Sequence, residues 1–328
     1  MVAIEQIRND LAQASRSRHQ LVAVFVGGTS GIGESTAREL VRYSTGRRIY
    51  LIGRSQDQAD RIKTEFASLN PSCDVCFIQS DASQLGNVDS LCDKVKAQEE
   101  KIDVLFLSAG IFHLRGREET TEGLDRKMAL DFYSRLRFTE NLLPLLRHAS
   151  SLSSSQSTRE VLPAGGQVIS VLGGGKETPI DESDLSLELN YTLKASTDHA
   201  VTMTTLSFQR LAAAPENANV AFFHTSPGMV NTNGDRELNI VIRLLVSTVS
   251  YVFRPWVTST EETGKRHLWA AVSDTFRGGQ IYLLNQRSER VDDSKVLNRL
   301  HEEGLFDRVW EHTRDVFKRI PTGDNHNV

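Results

Sequence analysis

The chain has 328 residues, 39% of them hydrophobic and 24% charged, with a net charge of −4. This composition supports a full core and gives no basic footprint for nucleic acid. The length exceeds the roughly 200–250 residues that one α/β domain commonly occupies, so one large domain with terminal extensions is expected.

Residues 1–20 read as a charged helical extension, peripheral to the fold and unlike an apolar leader. The main domain is expected over 21–290 and a helical C-terminal extension over 291–328. Val22-Ala-Val-Phe-Val26 is an apolar, mostly β-branched run, as a buried parallel strand requires. The turn Gly27-Gly-Thr29-Ser30-Gly31-Ile32-Gly33 follows, and then an amphipathic helix over 34–41. In that order, Gly27 and Gly31 admit a pyrophosphate close to the backbone, and Gly33 lets helix and strand pack closely. The helix N-terminus then offers free N–H groups to the phosphates.

Further strands are expected at 48–52, 74–79, 102–107, 168–172, 220–224 and 280–284. Helices are expected at 57–69, 88–98, 121–147, 193–211, 261–272 and 295–319, with a serine-rich surface loop at 149–158. Strands alternating with helices imply a doubly wound parallel sheet of about seven strands with right-handed crossovers, a Rossmann-type α/β fold. The apolar segment 240–253 is shorter than the ~18 apolar residues of a membrane span. It is read as a lid within 234–258, with membrane-surface contact or subunit packing as alternatives. Cys73 and Cys76 have redox or zinc spacing but no second ligand pair, so Cys73, Cys76 and Cys92 are read as free structural thiols in a reducing cytosol. No metal site is expected.

At the end of the second strand, an acid about 20 residues past the glycine turn would accept the 2′-hydroxyl of NAD. The chain has Gly53-Arg54-Ser55 instead, a cation and a hydroxyl suited to a 2′-phosphate, so NADP(H) is favoured over NAD(H). The bland reading of Arg54 is a solvated strand-end cation.

The turn Val26-Gly-Gly-Thr-Ser-Gly-Ile-Gly33 resembles the glycine motif of the short-chain dehydrogenase/reductase family, with valine in place of the usual threonine. The resemblance runs from about Leu21 to Leu284. It implies that Asp81 lies beside the adenine. Leu107-Ser108-Ala109-Gly110 matches the family's Asn-Asn-Ala-Gly turn, and Pro227-Gly-Met-Val230-Asn-Thr232 its Pro-Gly segment beside the nicotinamide. The family's Tyr-x-x-x-Lys pair is shortened here to Tyr191-Thr-Leu-Lys194, and Ala195 stands where lysine is expected. Under the resemblance Tyr191 donates a proton, while Lys194 tunes it and holds the nicotinamide ribose. The catalytic serine aligns with Gly173, for which Ser170 or Thr178 are candidate substitutes. Asp131 aligns with the family's asparagine that orders a proton-relay water; as a catalytic candidate it can accept from that water, though its charge would repel a developing alkoxide.

His113, His199 and His224 are further acid–base candidates, against a structural reading of each. Arg115 and Arg117 are candidates for steering an anionic substrate. The resulting expectation is an NADP(H)-dependent oxidoreductase acting on a carbonyl or alcohol of a small, apolar molecule, similar to family members of fungal secondary metabolism. A non-redox isomerase or cyclase, or a silent binding protein, is the alternative. Family members pair through the helices after the fourth and fifth strands, which implies a homodimer or homotetramer.

Overall fold

The computed structural model describes residues 2–14, 21–43, 48–111, 116–153, 165–230, 258–291 and 295–320. Seven parallel strands form one sheet in the order β3-β2-β1-β4-β5-β6-β7. They are β1 (Val22–Val26), β2 (Arg48–Gly53), β3 (Asp74–Gln79), β4 (Val104–Leu107), β5 (Gln167–Val171), β6 (Ala221–Thr225) and β7 (Gln280–Leu284). Every residue of β1 is buried, because the strand has helices on both faces. Val22, Val24 and Val26 join one apolar core, and Ala23 and Phe25 the other. The alternation follows from the period of two along a strand.

The helices are α1 (Ile4–Ala14), α2 (Gly31–Arg42), α3 (Gln56–Leu69), α4 (Leu85–Lys96), α5 (Arg126–Met128), α6 (Ser134–Ser153), α7 (Leu193–Ala213), α8 (Thr260–Val272), α9 (Lys295–Glu302) and α10 (Leu305–Arg319). Residues of α1, α2, α3 and α8 fill the core on one face. Residues of α4, α6, α7, α9 and α10 fill it on the other. Because β1 turns one way to β2 and the other way to β4, a crevice opens at the carboxyl ends of the strands, where ligands bind in such sheets.

Three expectations change. The N-terminal helix is not peripheral: Ile7 and Leu11 are fully buried, and Trp269 Nε1 on α8 donates to Asp10 Oδ2 at 2.8 Å. The long helix does not begin at 121. Residues 120–124 form a turn, and Asp125 Oδ1 caps the helix by accepting from the Met128 N–H. Glu122 is therefore outside the helix, and its carboxylate accepts from the Leu85 and Gly86 N–H groups at the start of α4. A π turn (Ala129–Tyr133) then links α5 to α6. The C-terminal extension is two helices broken at Gly304, whose φ of 76° is left-handed.

Helix α10 lies against both α6 and α7. Arg314 bridges to Glu140, the Arg137 Nη1 group donates to Phe317 O, and Arg210 pairs with Asp307. The two helices expected to pair subunits thus carry a helix of this chain. Among the described residues, no helix is long and apolar enough to cross a membrane. The expected lid, apart from Thr258, lies outside the described residues, as do Thr232, His113 and Arg115.

Candidate active site

The crevice is a cavity of about 550 Å³. Its floor is built from strand ends. Gly27, Thr29, Ser30, Gly31 and Ile32 follow β1, and Arg54 and Ser55 follow β2. Asp81 follows β3, Ser108, Ala109 and Gly110 follow β4, and Pro227 follows β6. Most of the expected cofactor residues therefore meet in one cleft.

The glycines act through the space they leave. Gly27 has φ of 86° and Gly31 of 60°, conformations that other residues rarely adopt. A Cβ on Gly33 would lie 2.5 Å from both Gly27 O and Ser108 Oγ, so only glycine lets α2 approach the β4 turn this closely. Val26 O accepts from both the Ser108 and Ala109 N–H groups, locking the first turn to the end of β4. Ser30 stands at the N-cap of α2 with no side-chain capping bond, so the opening N–H groups of that helix face the cleft uncapped by it. The cradle fits a dinucleotide diphosphate on these grounds.

Ser55 caps α3 by accepting from the Gln58 N–H. Arg54 is exposed beside it, on the cleft wall. The Asp81 carboxylate accepts from the Ser83 N–H and hydroxyl, which fixes it on the cleft wall. Val230 does not line the cleft and forms a bridge with Thr258.

The proton-transfer group is assembled differently from expectation. Tyr191 precedes α7, whose N-cap is Thr192, so Tyr191 and Lys194 are not neighbours on one helical face. The Lys194 side chain is 81% exposed and pairs with Asp198, away from the cleft. The Tyr191 hydroxyl is buried without a hydrogen-bond partner among the described residues and is not on the cleft wall. Burial pushes it above the ordinary tyrosine range, and the carboxylates of Asp125, Asp131 and Glu118 act in the same direction.

The cleft instead holds an ion ladder along α5, the π turn and α6. Lys127, Asp131 and Arg135 are all nearly fully buried and line the cavity. Lys127 Nζ bonds Asp131 Oδ2, and Arg135 Nη2 lies 3.9 Å from Asp131 Oδ1. Arg135 also donates to Leu130 O, Ser170 Oγ, Val171 O and Ala109 O at 2.7–3.2 Å, tying β4 and β5 to the helix. The Asp131 charge expected to repel an alkoxide is thus held between two cations. Ser170 is committed to Arg135 and does not replace the missing serine. Thr178 is engaged with Thr202 through its backbone.

Behind Gly173 runs a buried relay. The Gly173 N–H donates to His224 Nε2, His224 Nδ1 bonds Thr205 Oγ1, and Thr205 donates to Glu177 Oε1. The Gly175 N–H donates to the same oxygen. His224 therefore shapes the glycine loop and is not exposed to the cleft. His199 Nε2 accepts from the Asp181 N–H, and Arg117 pairs with Glu119. The three cysteines are free, and no metal-binding cluster occurs among the described residues.

Lys127 and Arg135 went unread in the sequence. Their signal is the spacing Lys-x-x-x-Asp-x-x-x-Arg, which also describes an ordinary solvated helix face.

The family profile described as "short chain dehydrogenase" matches residues 21–154. Oxidoreductase AN1596 of Emericella nidulans is 34% identical, with 96% of this chain and 98% of the relative covered. Oxidoreductase andH of Emericella variicolor is 32% identical, with 98% of each covered. The crystal structure of L-sorbose reductase from Gluconobacter frateurii, complexed with NADPH and L-sorbose, superposes with a TM-score of 0.59 at 17% identity, covering 83% of this chain and 97% of that one. The chain belongs to the short-chain dehydrogenase/reductase family and is similar to fungal oxidoreductases.

Two buried histidines, His224 on β6 and His267 on α8, and the half-buried His312 on α10 give the fold a pH dependence. Burial lowers His224 to about 3 and His267 and His312 to about 4. Above the unfolded value of ~6.5 both states are neutral; below it the unfolded chain protonates first, so stability falls until pH reaches the folded values. Each such histidine removes about 1.4 kcal/mol per pH unit in that window. Denaturant unfolding between pH 6.5 and 4 should show this slope. His267→Gln, which keeps a donor and an acceptor, should flatten it by one proton, and an unchanged slope would refute the assignment.

Proposed function

We propose that the protein is an NADP(H)-dependent oxidoreductase that interconverts a carbonyl and an alcohol on a small, apolar molecule of fungal secondary metabolism. The observation that carries the cofactor choice is the end of β2. It presents Arg54 and the capped start of α3 where an acid would be needed for a free 2′-hydroxyl. NADPH in the L-sorbose reductase complex is in keeping with this reading. Gly27, Ser30, Gly31 and Ile32 would hold the diphosphate, with Asp81 at the adenine and Pro227 at the nicotinamide. When bound, the cofactor supplies or accepts the hydride.

The chain's own part is to exclude water, orient the carbonyl and handle one proton. Tyr191 is the donor that the family resemblance implies; its hydroxyl is buried and off the cleft wall, so in this reading that role rests on the resemblance and not on the cleft geometry. Asp131, neutralised by Lys127 and Arg135, leaves the cleft without a net repelling charge toward an alkoxide. Purified protein should bind NADPH more tightly than NADH. Arg54→Asp should reverse that order by weakening NADPH about tenfold or more, the loss of one charge-assisted contact. Equal affinities in the wild type would overturn the choice.

A second reading, non-redox isomerisation or cyclisation, or nucleotide binding without turnover, is favoured by Gly173 at the serine position and by Lys194 in solvent. The two separate on stoichiometry. The redox reading expects one NADPH consumed per carbonyl reduced, or one NADPH formed from NADP+ per alcohol oxidised, and product formation with no change in NADPH would favour the second.

A further inference from the structure

We propose that Lys127 is the cation through which the cleft grips its dinucleotide, a role that the shortened Tyr191–Lys194 segment cannot fill; this rests on the nicotinamide-nucleotide reading above. The chain carries two Lys-x-x-x-Asp pairs at the same helical spacing, and their surroundings differ. Lys194–Asp198 is solvated, with the lysine 81% exposed. Lys127–Asp131 is buried, with side-chain exposures of 7% and 3%, and both residues line the 550 Å³ cleft. Lysine is rarely buried unless it is paired or used, so the first pair is an ordinary surface contact and the second is not.

The ladder has two cations and one anion, leaving a surplus positive charge on the wall facing Gly110. A Cβ on Gly110 would lie 2.9 Å from Asp131 Oδ1, so the ladder sits directly against the β4 turn. Arg135 spends its donors on the carbonyls and hydroxyl that close β4 and β5. An ammonium has three donors. Asp131 is the partner that Lys127 has among the described residues, so donors remain for a ribose hydroxyl or a phosphate oxygen. Asp131 acts as a positioning residue, fixing the ammonium against the cleft wall.

The test is affinity for NADPH, measured by equilibrium titration on the full chain. Lys127→Met keeps the stem and removes the donors, and should weaken binding by about tenfold to hundredfold. Lys194→Met should change it less than about twofold, as for an exposed pair. In Lys127→Met/Asp131→Asn the unpaired carboxylate is also removed, and affinity should stay low. Recovery there would reduce Lys127 to a counter-ion of Asp131 and overturn the proposal, as would wild-type affinity in Lys127→Met. Should that variant not fold, lysine acetylation of the wild type, read by mass spectrometry, decides. NADPH should shield Lys127 and leave Lys194 reactive, and equal labelling of Lys127 with and without NADPH would overturn the assignment. Absence of NADPH and NADH binding by the wild type would instead sink the nucleotide reading itself.

Discussion

The site depends on a close backbone junction, with the Ser108 hydroxyl set against Gly33. Between the turn after β1 and the turn after β4, backbone meets backbone at Gly27 and Gly33, and Val26 O closes the junction by accepting two N–H groups. Any Cβ there would separate α2 from the β4 turn or fill the space a diphosphate needs. The sheet order serves the same end, because the strand order reverses at β1, with β2 on one side and β4 on the other, and leaves the crevice at that point.

Around this cradle the protein has rebuilt its polar chemistry. The serine expected after β5 is replaced by Gly173, whose loop is held from behind by His224, Thr205 and Glu177. The lysine expected on α7 faces solvent, while buried cations come from the helix after β4. A buried ion set of this kind adds little net stability, since desolvation offsets most of the Coulomb gain. Its presence on the cleft wall is better explained by what it presents to a ligand.

The fold was legible because its signals are local. Seven apolar runs of four to six residues, each bounded by glycine or polar residues, became the seven strands. The glycine turn was legible for the same reason, as was the pairing of Arg54 with a strand end. The start of the long helix, expected at 121, lies at Asp125, because Glu122, an acid that would suit a first helical turn, instead caps α4 from across a turn. The packing of α1 was signalled by Ile4, Ile7, Leu11 and Ala14 along one face, a spacing that also suits a marginal surface helix. The catalytic assignment suffered most. Helical spacing placed Lys194 beside Tyr191, but Thr192 starts the helix after the tyrosine, and nothing local distinguishes the buried Lys127 from the solvated Lys194.

The most direct measurement is a titration of NADPH into the wild type and into Gly33→Ala. A Cβ at residue 33 meets Gly27 O and Ser108 Oγ at 2.5 Å, so the cradle must open. The wild type should bind NADPH saturably, and a Gly33→Ala protein that keeps its far-ultraviolet dichroism should lose at least about tenfold in affinity. Undiminished affinity in that folded variant would contradict the claim that this backbone junction forms the nucleotide site.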